Sequence, residues 1–181
     1  MPLSGDRPLA RPIVYFTLQN GGRRAVTFTP AHRDQLTALA SGALKETAAV
    51  RIHAFSWTTS EIRMALEGPE PARLRFTRAL GARHRQVIHA QLCGQDCLFE
   101  RAYRASALAT EQELLDVAAH IHAAPVRAGL ASREADYPWS SAGAYQGTAW
   151  FHWLTTELIV GLNTRRGAGL PARRASFSEP A

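Results

Sequence analysis

Lysine is nearly missing from this chain: of its 21 basic residues only Lys45 is lysine, and the rest are arginine. The planar fork of arginine suits bidentate contacts with phosphate, although a GC-rich genome enriches the same residue. Cysteine is scarce too, with Cys93 and Cys97 the whole supply. Without a second cysteine pair or suitably placed histidines they make a poor zinc site and read as two reduced, structural thiols. A long apolar run is also absent. The most apolar stretch, Ala149 to Leu162, is interrupted by His152, Thr155, Thr156 and Glu157 and is too short to span a bilayer, so no membrane partner is expected. Met1 to Pro12 carries Asp6, Arg7 and Arg11 among three prolines and lacks the apolar core of a secretory signal, so a cytoplasmic location is expected.

What remains is a chain of 181 residues, 46% hydrophobic, which suffices for one globular unit with a buried core plus tails. A net charge of +6 and a pI near 10.1 favour a polyanionic partner, because each phosphate neutralised by a cationic side chain releases counterions.

Local patterns divide the chain. Ile13 to Leu18, then the turn signal Gln19-Asn20-Gly21-Gly22, then Ala25 to Phe28 read as two short strands around a glycine turn. Thr29-Pro30 supplies an N-cap and a first-turn proline for a helix in which Leu36, Leu39 and Leu44 recur, ending near Ala48. Val50 to Trp57 alternates as a strand, with Val50, Ile52, Ala54 and Ser56 on one face and His53, Phe55 and Trp57 on the other. Glu61 to Leu66 is a second strand beyond Thr58-Thr59-Ser60. Gly68-Pro69-Glu70-Pro71 breaks the chain before a long helix, Ala72 to Leu92, whose apolar stripe holds Phe76, Leu80 and Val87 or Ile88. Arg75, Arg78 and Arg85 share another face of that helix, either solvated or open to phosphate. Leu98 to Leu108 is a further strand bearing Arg101 and Arg104, and Glu111 to His122 a helix burying Leu114, Val117, Ala118 and Ile121.

This order of strand, helix, strand, strand, helix, strand points to an α+β fold, a ferredoxin-like antiparallel sheet with helices packed on one face. The expected layout is an N-terminal tail over 1–10, the domain over 11–147, a C-terminal helix over 148–162 packed on it, and a disordered basic tail over 163–181.

The most specific string is Ala124-Pro125-Val126-Arg127-Ala128-Gly129-Leu130, followed by Asp136-Tyr137-Pro138-Trp139-Ser140-Ser141 and Ala144-Tyr145-Gln146-Gly147. It resembles the Asn-Pro-Val-Arg-Ala-Gly-Leu, Tyr-Pro-Trp-Ser-Ser and Tyr-Gly signature of REP-associated tyrosine transposases and related single-strand insertion-sequence enzymes of the HUH type. Val50-Arg51-Ile52-His53-Ala54-Phe55 and Leu98-Phe99-Glu100-Arg101-Ala102-Tyr103 are similar to two further segments of that family, so the resemblance runs from about Arg11 to Gly147.

The resemblance implies a partner, DNA in hairpin or single-stranded form, and a chemistry. Family members cut one strand with a helix-borne tyrosine. A divalent magnesium or manganese ion, held by two histidines one residue apart on a strand and by a polar residue one turn after the tyrosine, polarises the phosphate. Alternate residues on a strand share a face and so can grip one ion. The family's two metal-binding histidines fall on Glu61 and Arg63, its nucleophilic tyrosine on His120, and its metal-supporting asparagine on Ala124. With every one of these positions changed, and Ala102 where the family carries an arginine, the resemblance implies binding without cleavage and no cofactor.

Other readings of these residues stay open. Glu61 and Arg63 form a neutralising pair, or Glu61 and His120 a rearranged metal site, or His120 a nucleophile that leaves an active enzyme; alternatively His120 is a helix-surface partner of Asp116. His53 reads as a satisfied structural histidine. Arg127 is the first choice for a phosphate contact, then Arg23 and Arg24, with Arg75, Arg78, Arg85, Arg101 and Arg104 as further candidates. Tyr137, Trp139 and Tyr145 serve either to stack bases or to close the core. Trp150, Phe151 and Trp153 suggest a homodimer or partner surface, or else a segment packed on its own domain.

Overall fold

Ile13, Val14, Tyr15 and Phe16 are all buried, yet they cannot all face one way, because successive strand residues point to opposite sides of a sheet. A core on both faces follows. The computed structural model describes residues 6–21, 27–91 and 100–167, and within them all side chains but those of 20, 21, 85, 87–91 and 100–103. In it the strand β1 (Pro8–Gly21) lies between β3 (Glu61–Glu67) and β4 (Glu100–Thr110), and β2 (Arg51–Trp57) pairs with β3. The order β2-β3-β1-β4, antiparallel throughout, is that of a ferredoxin-like sheet.

The helices α1 (Pro30–Glu46) and α2 (Glu70–Gln91) pack Leu36, Ala40, Ala43, Phe76 and Leu80 on one face, against Val14, Phe16, Ile62, Met64 and Leu66. On the second face lie α3 (Glu111–Arg127) and, beyond a short α4 (Ala142–Tyr145), α5 (Glu157–Arg165). Leu114, Val117, Ala118, Ile121, Ile159 and Leu162 meet Ile13, Tyr15, Ala54, Ala65 and Leu108 there. The two helices of the ferredoxin-like core thus share a face as its topology requires, and the C-terminal elements close the other.

Local chemistry sets the helix ends. Thr29 Oγ1 accepts from His32 N–H and His32 Nδ1 accepts from Thr29 N–H, so a histidine takes the part that glutamate plays in most capping boxes. At the far end of α3, Leu130 N–H donates to Pro125 O and Gly129 N–H to Val126 O, with Gly129 at φ 69°. That pair of bonds is a Schellman motif, and it gives the Pro-Val-Arg-Ala-Gly-Leu string a mechanical job as a helix terminator.

The structure departs from the sequence reading in places. Strand β1 starts at Pro8, inside the expected tail. Phe28 is not in a strand but is 1% exposed, its N–H donating to Thr59 O, while Ala25 lies outside the described residues, as do Cys93 and Cys97. The β2 alternation breaks at His53, because the register slips between Ile52 and Ala54: two residues of β2 stand against one of β3. Val50 and Ile52 therefore join Phe55 and Trp57 on the α1 side, and Ala54 turns to the other. Helix α3 runs five residues past the expected end at His122 and takes in Ala124 to Arg127; the terminator follows Pro125 rather than preceding it. The expected helix over 148–162 is confined to Glu157–Arg165. Before it, Phe151 and Trp153 pack on Phe55, a turn runs from Phe151 to Leu154, and Thr155 N–H donates to Ile52 O, which ties Leu154 to β2 by an isolated bridge. Asn163 to Arg165 complete α5, with Asn163 buried, where a disordered tail was expected.

Two glycines test this account. Gly129 opens onto empty space, so Gly129→Ala costs only the left-handed backbone, about 1–2 kcal/mol. Gly68, at φ 142°, would place a Cβ 2.6 Å from Ala49 O, so Gly68→Ala moves backbone as well and costs more. Urea denaturation of the two variants gives the ranking; equal losses contradict it.

Candidate nucleic-acid interface

Strict alternation along β3 sends Ile62, Met64 and Leu66 to the α1 side and leaves Glu61, Arg63, Ala65 and Glu67 facing α3. The cross-strand register then aligns Arg63, Thr17 and Arg104 in one row across β3, β1 and β4, with Glu61 and Gln19 in the next. Neighbouring strands lie about 4.8 Å apart, so the backbones at Arg63 and Arg104 stand roughly 10 Å from one another across Thr17.

Arg63 is 7% exposed and all three of its guanidinium nitrogens are engaged. Nε donates to Glu61 Oε2 at 2.7 Å and NH2 stands 2.5 Å from the same oxygen. NH1 donates to Tyr15 Oη at 2.8 Å and meets His120 Nε2 at 2.5 Å. Tyr15 also stands edge-on to the His120 ring, with centroids 6.0 Å apart. Exposed Arg127, the last residue of α3, donates from NH2 to His120 O at 3.0 Å and lies 3.4 Å from His120 Nε2.

These cations fix the state of the histidine. Burial, then Arg127 and Arg63, push His120 down to about 4 against a weaker opposing pull from Glu61. The ring is neutral near pH 7, and it accepts Arg63 at Nε2 only with its own proton on Nδ1. Asp116, one turn earlier, accepts from Gln112 Nε2.

Of the residues singled out by sequence, Glu61, Arg63, His120 and Arg127 come together, with Arg104 exposed on the same sheet face. Ala124 follows His120 by one helical turn and is buried, with no donor atom on its side chain. Arg75 and Arg78 are exposed on α2, on the opposite face of the sheet. Arg23 and Arg24 lie outside the described residues, as do the side chains of Arg85 and Arg101. Tyr15 was missed, since a tyrosine inside an apolar strand gives no sign that its hydroxyl meets an arginine 48 residues later. His53 is fully buried, with Nε2 2.7 Å from Glu67 Oε2 and Nδ1 3.2 Å from Thr155 O. Tyr145 Oη donates to His53 O and Tyr137 Oη to Trp57 O, so both tyrosines close the core.

This donor set does not fit a divalent cation. The carboxylate of Glu61 and Nε2 of His120 are both engaged by a guanidinium whose charge is permanent, and the described residues hold no group of three or more His, Cys, Asp or Glu able to bind a metal. Nor is any described helix long and apolar enough to cross a membrane.

The fold has a solved counterpart. A REP-associated tyrosine transposase bound to a REP hairpin superposes with a TM-score of 0.58 at 12% sequence identity, over 86% of this chain and 98% of that one. No family model and no curated protein matches this chain.

Burial also lowers His122 and His84 to about 4, the latter with help from His32. In the unfolded chain such groups take up protons near 6.5, while the folded protein resists until about 4. Protons in that window therefore favour the unfolded state. Denaturant midpoints are expected to hold above pH 6.5 and to fall as pH drops towards 4; a midpoint that rises over this interval contradicts the assignment.

Proposed function

We propose that this protein is a transposase-like DNA-binding protein that holds hairpin or single-stranded DNA and does not cut it. The observation that carries the reading is the Arg63 cluster: a guanidinium, neutralised by Glu61, sits at the centre of the side chains that meet between α3 and the sheet. The likeness in fold to a hairpin-bound transposase and the net charge of +6 support the choice of partner.

In this reading the two kinds of arginine divide the work. Arg63 gives its charge to Glu61 and serves as a permanent internal cation, and no metal cofactor takes part. Arg127 and Arg104 stay exposed beside it and meet phosphates. His120 is a neutral acceptor within the cluster. Its Nε2 lone pair, which a phosphohistidine or a metal would need, is already taken by Arg63, and the cations beside it would also repel a metal, so the active-enzyme alternative has no free donor atom to start from. Phe151 and Trp153, two of the residues that suggested self-association, pack on Phe55, and the reading does not require a dimer. A cytoplasmic protein is part of the same reading.

Binding is measured by anisotropy with hairpin, single-stranded and blunt duplex DNA over a salt series. The expected result is binding to hairpin and single strand that weakens with salt, with intact DNA after incubation with magnesium or manganese. Arg127→Ala should flatten the logarithmic salt dependence by about 0.7–0.9 for one lost phosphate contact. Absence of binding at low salt ends the DNA-binding reading, and a nicked strand or covalent adduct ends the claim of lost cleavage.

A further inference from the structure

A second arginine is as deeply buried as Arg63 but has no carboxylate. Arg33, in the second turn of α1, is 6% exposed and forms no ion pair among the described residues. NH1 donates to Tyr137 Oη at 2.9 Å, and the guanidinium carbon sits 4.1 Å from the centroid of the Trp139 ring. Nε is buried with no hydrogen-bond partner. Tyr137 cannot serve as the counter-ion: burial raises its pKa despite the pull of Arg33, and its hydroxyl proton goes to Trp57 O. The nearby Asp34 carboxylate is directed to Trp139 Nε1, at 2.8 Å.

Arginine does not shed its proton inside proteins, so this charge cannot be relieved by titration. Stacking on an indole recovers part of the lost hydration, and a neutral hydroxyl a little more. The arrangement is one carboxylate or phosphate short of completion. Its position says which. Tyr137 is bonded to Trp57, the last residue of β2, and the Thr58–Ser60 turn leads directly to Glu61 and Arg63. Arg33 and the Arg127 edge therefore stand at the same end of the sheet, on either side of that turn.

We infer that Arg33, clamped between Tyr137 and Trp139, is a second phosphodiester subsite that takes an unpaired strand passing over the Thr58–Ser60 turn, with the half-buried Trp139 ring beside it for a base. This rests on the DNA-binding reading above. Aromatic and arginine planes together are sequence-tolerant platforms for single strands.

The test compares two oligonucleotides, a blunt hairpin and the same hairpin with a short unpaired thymidine extension, on wild type, Arg33→Met, Arg33→Lys and Arg127→Ala. Arg33→Met should bind the blunt hairpin as wild type does and lose the extended one by about tenfold, with a salt slope lower by about 0.7. Its melting temperature should hold or rise, since an uncompensated buried charge has been replaced by an apolar chain. Arg33→Lys, which keeps the charge and loses the fork, should fall between. If Arg33→Met and Arg33→Lys bind both oligonucleotides as wild type does while Arg127→Ala is impaired, the subsite is wrong and the DNA-binding reading stands. If Arg33→Met is less stable and loses both oligonucleotides equally, Arg33 is purely structural. If wild type binds neither, both proposals fall together.

Discussion

A permanent positive charge in a nearly closed space is the constraint around which this protein's functional end is organised. Arg63 is 7% exposed, and the side chains around it answer its donors one by one: Glu61 with a carboxylate, Tyr15 with a hydroxyl, His120 with a neutral ring nitrogen. Remove the charge and the acceptors of three different elements lose their common partner; remove Glu61 and a buried cation is left uncompensated. Burial and the exposed Arg127 keep His120 neutral, and the charge of Arg63 adds to them.

The frame delivers these side chains by simple rules. A period of two along β3 turns Glu61 and Arg63 toward α3, and cross-strand register brings Tyr15, Thr17 and Arg104 alongside. The Schellman end at Gly129 lets α3 run far enough to put His120 and Arg127 over the sheet. The slip at His53 returns Phe55 and Trp57 to the α1 side, where they seat Phe151 and, through Trp57 O, Tyr137. Arg33 depends on that last contact, so the two buried arginines are linked through one turn of β-hairpin while differing in the single respect that matters, the presence of a carboxylate.

Much of this was legible beforehand. The α+β architecture with its ferredoxin-like order followed from strand and helix periodicity, and a threonine-proline pair marked the start of α1. The meeting of positions 61, 63 and 120 followed from the motif resemblance, because a motif carries spatial information that periodicity lacks. What escaped detection is nonlocal. A bulge adds one residue to a strand without changing composition, so the faces of Val50 and Ile52 were misassigned. The helix read as ending at His122 continues through Pro125, whose carbonyl accepts the terminating bond from Leu130. Tyr15 and Arg33 gave no signal, since each gains its meaning from a partner far along the chain, Arg63 in one case and Tyr137 in the other.

The central claim, that a permanently charged arginine and not a divalent cation occupies the centre of the Glu61, Tyr15 and His120 cluster, is open to direct measurement. Manganese is paramagnetic and broadens the NMR signals of nearby nuclei, so titrating it into the folded protein while watching the His120 and Tyr15 ring resonances reports on the cluster itself. The account predicts that both signals keep their width while exposed carboxylates such as Glu113 show only weak, general broadening. Selective broadening of His120 and Tyr15 at low manganese would show a cation seated among Glu61, Arg63 and His120, and would contradict it.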